Sequence, residues 1–175
     1  MRKLASLAIC AALIAVGISA CDDDDPTGPD LEEFVANLLG SNEPAPRNTS
    51  TATGTVRLVI NTDNTISWTM DLTGIRNMTA SHIHAPAGPG VDAGVVANLF
   101  IPTRSPITET LNGRVASGTF GPSNVNTITY ADLLAAIRSG NAYVNIHTSD
   151  PALPGNNTPG DSPSGEIRGQ TVAVP

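Results

Sequence analysis

Along most of this chain, small or apolar residues alternate with polar ones, and this period-two pattern restricts the fold more than any other feature. The alternation runs through residues 34–38, 54–60 and 66–72. Successive side chains of a strand point to opposite faces, so each segment predicts a strand with one buried face. The Asn-Thr-Asp-Asn sequence at 61–64 predicts a turn. The second and third segments therefore form a predicted hairpin.

Five further strands are predicted at residues 79–84, 94–101, 111–120, 142–147 and 166–174. One helix is indicated near 130–138, because Thr129 precedes Asp132 by three residues and apolar positions then recur at a spacing of three and four before Gly140. Gly and Pro supply 16 and 14 of the 175 residues, as expected for short strands with many turns. The pattern predicts an all-β Greek-key sandwich or barrel of about eight strands, with the helix covering one end.

Length and charge limit the function classes. A chain of 175 residues is enough for one domain with a real core. The net charge is -7 and the chain contains a single lysine. A nucleic-acid-binding protein needs clustered Lys and Arg to neutralise phosphates, so nucleic acid is excluded as a partner.

The first twenty residues predict export. Arg2 and Lys3 are followed by an uncharged stretch at 4–17, which fits a signal peptide and is short for a membrane-spanning helix. The sequence Ile-Ser-Ala-Cys at 18–21 resembles the lipobox of bacterial lipoproteins. The resemblance implies a signal peptide at 1–20, acyl chains such as palmitate on Cys21, and a lipid anchor in a bacterial membrane, with the protein facing the periplasm or the cell exterior. An ordinary signal peptide with a coincidental cysteine is the alternative.

After Cys21, residues 21–31 predict a solvated acidic tether, because Asp22–Asp25 and the following Pro-rich stretch cannot bury apolar surface. The folded domain is then 32–175. Cys10 is the other cysteine and lies in the predicted signal peptide, so no disulfide is expected in the domain. Its stability must come from packing and hydrogen bonds, with or without a bound ligand.

The three histidines carry the most informative chemistry. His82 and His84 flank Ile83, which places both imidazoles on one strand face about 7 Å apart at the backbone. His147 ends the seventh strand on the face opposite Val144 and Ile146. If the two strands are neighbours, three imidazoles converge on a site suited to copper, or less well to zinc. A hydrogen-bonded surface cluster is the alternative. The candidate fourth ligands are Asp92, Asp150, Asp161 and Glu166.

Other charged residues favour structural roles. Glu166 and Arg168 are two apart on the last strand and predict a surface ion pair. Glu43, at the end of the first strand, could instead pair with Arg168. The irregular loop at 149–164 is of a length that is often functional or mobile. The chain contains no Gly-x-Ser-x-Gly sequence, so a nucleophilic hydrolase is not supported.

Five short motifs together resemble the CHRD domain, the chordin-type module of many bacterial secreted proteins. They are LGSNEP at 39–44, ATG at 52–54, SHIHAP at 81–86, NAYVNIHT at 141–148 and GEIRGQ at 165–170. The family has no established general activity. The resemblance therefore implies a lipid-anchored, non-enzymatic binding or structural module whose partner is an unknown protein or envelope ligand.

A weaker resemblance is to the barrel of copper-zinc superoxide dismutase. The His-Ile-His sequence at 82–84 and the Asn-Ile-His sequence at 145–147 are similar to strands of that enzyme that hold copper. The resemblance implies that His82, His84 and His147 are copper ligands. The metal-bridging histidine, the zinc site and the structural disulfide are missing, which argues against dismutation. The alternative function is thus a copper-binding protein that could be redox-active.

Overall fold

A computed structural model of the protein describes residues 31–45, 49–152 and 155–175. Its elements confirm the prediction of eight strands and a short helix. They are β1 (Glu32–Leu39), β2 (Thr53–Ile60), β3 (Ile66–Ile75), β4 (Met78–His84), β5 (Val95–Phe100), β6 (Leu111–Phe120), α1 (Tyr130–Arg138), β7 (Tyr143–Thr148) and β8 (Ile167–Ala173). The predicted signal peptide, the lipidation site at Cys21 and nearly all of the tether lie outside the described residues.

All eight strands join one antiparallel sheet in the order β5-β4-β7-β8-β1-β2-β3-β6. Hairpins connect β2 to β3 and β4 to β5, whereas the β3–β4 and β6–β7 connections cross between distant strands, as in a Greek key. The sheet curls into a nearly closed barrel. The segment after β6 returns to β5, where Ala97 and Val125 form an isolated bridge. The all-β fold class is confirmed.

The barrel interior holds the apolar core. The alternating residues predicted from sequence point inward, and Leu38, Leu58 and Met70 are fully buried. Helix α1 begins as expected: Thr129 Oγ1 accepts a hydrogen bond from the Asp132 backbone N–H at 3.1 Å. Its apolar face, buried against the barrel, consists of Leu133, Leu134, Ala136 and Ile137. No helix among the described residues is long and apolar enough to cross a membrane.

Strands β4, β7 and β8 are unusual because their outward side chains are also largely buried. The register places His82 opposite Asn145, and Asn145 opposite Arg168. Two loops pack over this face, as the hydrogen bonds described below show: residues 85–94 and the described parts of the 149–165 loop, 149–152 and 155–165. The result is a second, polar layer outside the barrel, and it contains the predicted histidine site.

Candidate metal centre

The structure brings the three predicted histidines together on the covered outer face of β4 and β7. His82 and His84 share this face because Ile83 between them is fully buried in the core. The His147 ring centroid lies 4.8 Å from that of His82 and 5.7 Å from that of His84. One ring nitrogen from each histidine lies within 4.8 Å of the other two.

Backbone carbonyls of the two covering loops fix two of the rings. His84 Nδ1 lies 2.9 Å from the Ala93 carbonyl oxygen, and His147 Nδ1 lies 2.9 Å from the Pro163 carbonyl oxygen. A carbonyl can only accept, so each Nδ1 carries the proton and each Nε2 keeps its lone pair. Metal-ligating histidines almost always donate their second ring nitrogen in this way.

The remaining nitrogens are buried and have no partner. Nδ1 of His82, Nε2 of His84 and Nε2 of His147 make no hydrogen bond. A buried polar atom without a partner costs about 1–3 kcal/mol, so leaving three in one cluster is unfavourable for the protein alone. A single metal ion would satisfy all three.

Burial keeps the imidazoles neutral. Desolvation, with smaller contributions from His147 and His84, lowers the pKa of His82 to about 4. Desolvation is also the main reason that the pKa values of His84 and His147 lie below the ordinary 6.5. At neutral pH the three rings therefore carry lone pairs, the form that binds a metal.

The distances between the histidine nitrogens are close to those required to coordinate one metal ion. Three atoms no more than 4.8 Å apart all lie within about 2.8 Å of one common point (4.8 Å divided by √3). Imidazole nitrogens lie about 2.0–2.1 Å from zinc, so each ring would need to move by less than about 1 Å. Within the described residues the cluster contains only the three histidines; none of the four acids predicted as a fourth ligand joins it. A bound ion would therefore keep an open position.

The sequence matches one known protein family. A protein-family model for the CHRD domain matches residues 34–171. The chain belongs to the CHRD domain family. No curated protein and no solved structure matched the chain. The weaker similarity to copper-zinc superoxide dismutase is therefore not shown.

In this CHRD domain, His84 is held between the loop and a stack of side chains that the sequence did not predict. The Tyr143 ring lies parallel to His84, with 4.8 Å between centroids and 5° between planes. The Arg168 guanidinium covers the other face of Tyr143, 3.5 Å from its centroid. The Tyr143 hydroxyl accepts a hydrogen bond from the Ala93 backbone N–H at 3.1 Å. The i, i+2, i+4 spacing of Tyr143, Asn145 and His147 was the available signal for this role.

The prediction that Glu166 and Arg168 form an ion pair on the surface is wrong, because both residues are buried and only 1% exposed. The covering loops remove this strand face from water, which the alternation alone could not indicate. Arg168 Nη2 donates to the Val91 carbonyl at 3.0 Å, and Nη1 lies 3.4 Å from a carboxylate oxygen of Asp92. Glu166 accepts hydrogen bonds from Ser50, Thr148 and Gly160.

Two buried carboxylates hold the 149–165 loop in the CHRD domain. Glu166 receives the Gly160 backbone N–H at 2.8 Å. Asp161 receives the backbone N–H groups of Asp150 and Asn156, each at 3.1 Å. These acids thus position the loop that supplies the Pro163 carbonyl to His147.

Glu43 is buried beside this layer. Desolvation raises its pKa to about 7, although the positive charge of Arg168 acts in the opposite direction. Glu43 and Arg168, considered as a pair from the sequence, therefore attract each other only at longer range. The acid that forms an ion pair with Arg168 within 4.0 Å is Asp92. Gly165 packs so closely that a Cβ there would lie 2.6 Å from Glu43 Oε1. The close approach requires glycine.

Proposed function

We propose that this CHRD-domain protein binds one copper ion through His82, His84 and His147, and that lipid on Cys21 holds it at a bacterial membrane. One observation carries the metal proposal: each histidine offers a ring nitrogen within 4.8 Å of the other two, and each has a buried ring nitrogen without a hydrogen-bond partner. Two of the rings are also oriented by carbonyls, which is the arrangement that tunes a histidine for metal.

Copper is favoured over zinc by the general order of metal affinities. Imidazole suits both ions, but at a given nitrogen site Cu²⁺ binds more tightly than the other divalent first-row metals. Three neutral ligands and an open position leave room for a further ligand or for a change of redox state. The competing function is a binding or structural module without metal, in which the histidines are only a buried polar cluster.

A copper-binding measurement distinguishes a copper-binding protein from a module without metal. The test uses a soluble fragment of residues 30–175, which retains every described strand and α1. We expect one equivalent of copper by metal analysis and calorimetry. We also expect a higher melting temperature with copper, since a ligand that binds only the native state stabilises it.

The variants His82→Ala and His147→Ala should each lose the bound copper. Arg57→Ala is the matched control, because Arg57 lies on β2 in an exposed ion pair with Glu33 and should leave copper binding unchanged. Copper at background level in the unmodified fragment, or retained equally in both histidine variants, would contradict the proposal and leave a module whose partner must be sought by pull-down.

The lipid anchor is tested separately on the full chain. Several acyl chains attach a protein stably, whereas one binds reversibly. Cys21→Ser should move the protein from the membrane fraction to the soluble fraction after cell breakage. Retention of this variant in the membrane fraction would refute anchoring through Cys21.

A further inference from the structure

A small cleft beside the candidate metal centre ends at a buried acid. It encloses about 290 Å³, and its lining includes Glu43, Asp92, Tyr143, Ser164 and Gly165. The Glu43 residue is only 7% exposed, and its Oε1 atom has no hydrogen-bond partner. A buried carboxylate oxygen that has no hydrogen-bond partner and lines a cleft indicates that a bound molecule supplies the hydrogen-bond donor.

A second unpartnered acceptor lies next to this carboxylate. Asn145 is 2% exposed and its Oδ1 atom makes no hydrogen bond. A Cβ on Gly165 would lie 2.4 Å from Asn145 Nδ2, 2.6 Å from Glu43 Oε1 and 2.7 Å from Asn145 Oδ1, so both oxygens and the amide nitrogen adjoin the same place. The glycine keeps that place free of a side chain.

The charges around the cleft favour a cation. The acid at its end, Glu43, is buried, and Asp92 on its rim has a side chain that is 78% exposed. No Lys or Arg is among the described lining residues. Arg168 is not among these lining residues; it stacks on Tyr143, borders the neighbouring groove and pairs with Asp92 at 3.4 Å, so the charge that attracts a cation into the cleft is mainly that of Glu43.

We propose that this cleft binds the primary ammonium group of a small amine, which donates hydrogen bonds to Glu43 Oε1 and Asn145 Oδ1. A primary ammonium fits because it supplies three N–H donors and a positive charge. A calcium ion fits less well, since it needs six to eight oxygen ligands and the cleft offers few. The site does not depend on the proposed copper, because Glu43 is not one of the histidine ligands.

The ionisation of Glu43 sets the expected pH dependence. Desolvation raises the pKa of Glu43 most; Arg168 and the Asn145 side chain favour the carboxylate, and Asp92 opposes it. Two neutral rings also border the cleft, those of Tyr143 and His84. With a pKa of about 7, Glu43 is mostly ionised at pH 8 and mostly protonated at pH 6. Binding that needs the carboxylate should weaken about tenfold between these pH values.

The experiment titrates the metal-free fragment of residues 30–175 with butylammonium chloride and follows backbone amide shifts by NMR. We expect a saturable shift at Gly165 and Ala93, stronger at pH 8 than at pH 6. Tetramethylammonium, which has no N–H donor, and neutral butanol should produce no saturable shift there.

Glu43→Gln should abolish the saturable shift while keeping the size of the side chain. Glu33→Gln is the matched control, because it removes the same charge from an exposed position on β1. Asp92→Asn, at the exposed rim, should weaken binding without abolishing it, and it tests the cleft if Glu43→Gln does not fold.

The proposal is overturned by any of three results: no saturable shift at Gly165, equal binding by Glu43→Gln, or saturation by calcium chloride in place of butylammonium. The second and third would mean that Glu43 stays protonated or that the cleft is a metal site. Because no copper is present, none of these results bears on the histidine site, and His147→Ala should lose copper yet keep the amine.

Discussion

The two halves of the sheet begin from the same alternating sequence pattern and end in different environments. In the half formed by β1, β2, β3 and β6, outward side chains meet water: the Arg57–Glu33 and Arg114–Asp71 ion pairs have side chains that are 40–55% exposed. In the other half, two loops cover the outward side chains of β4 and β7. Both halves bury one face in the core, but only the second buries its polar face as well.

The difference shows that the covering loops, and not the strand pattern, determine whether an outward polar side chain is hydrated or buried. An exposed ion pair is worth about 0–1 kcal/mol because water screens it. Beneath the loops, the same residue types lose water, so they must find fixed partners or shift their pKa. The histidine cluster, Arg168 and Glu43 all lie in this covered half.

The largest expected difference is between two arginines on opposite halves. Arg168→Ala should lower the free energy of unfolding by about 3–5 kcal/mol, because it empties the space of a large side chain that is 1% exposed and removes the cover of the Tyr143 ring. Arg114→Ala, which removes an exposed pair with Asp71, should cost less than about 1 kcal/mol. Urea denaturation measures both, and equal losses would mean that burial beneath the loops adds nothing to the contribution of Arg168.

A second test compares two glycines that both have a positive φ. Gly165→Ala places a methyl group 2.4–2.7 Å from Asn145 and Glu43, whereas nothing lies within 4 Å of a Cβ at Gly113. Both variants carry backbone strain, because φ is +136° at Gly165 and +85° at Gly113, values that L side chains rarely adopt. The Gly165 variant should cost about 1–3 kcal/mol more, because its neighbours must move.

Thermal melts of the two glycine variants give this difference directly. We also expect the Gly165 variant to lose amine binding and the Gly113 variant to keep it. A Gly165 variant as stable as the Gly113 variant would mean that the covered layer is loosely packed.

The smallest net effect is expected on the pH dependence of stability in the metal-free protein, because two opposed shifts overlap. The pKa of His82 is about 4 in the folded protein and about 6.5 when unfolded, so the unfolded state binds more protons between these values. Stability should therefore fall as pH is lowered from 6.5 to 4. Glu43 acts oppositely: its folded pKa of about 7 exceeds its unfolded 4.5, so its contribution is lost as pH rises from 4.5 to 7.

The opposite pH dependences due to His82 and Glu43 overlap and partly cancel. Variants that remove one group at a time should reveal the contribution of the other. Glu43→Gln should leave a profile that rises from pH 4 to 6.5, and His82→Asn should leave one that is flatter there or falls. Urea denaturation at several pH values tests this. Identical profiles for both variants and the unmodified protein would mean that water reaches the covered layer.

The strands and the helix could be predicted because they depend on local patterns. Alternation predicts the inward residues, such as Leu58 and Met70, and the capping pair Thr129 and Asp132 indicates where α1 begins. The shared face of His82 and His84 followed from their spacing.

The covered layer could not be predicted, because it depends on which loops return to the strands. Nothing local in the sequence places the Ala93 and Pro163 carbonyls against His84 and His147. Glu166 and Arg168 look like a surface pair for the same reason: their spacing gives the shared face, but not the loops that bury it.

The position of β1 has a consequence for how the chain acquires its structure. Although it is the first strand, β1 lies in the interior of the sheet, between β2 and the last strand, β8. The register pairs Phe34 with Ala173, almost the whole domain apart in sequence. Contacts of such long sequence separation slow folding. A chain synthesised from its N-terminus cannot pair β1 with β8 until residues near Ala173 are available, so the barrel cannot be completed before then.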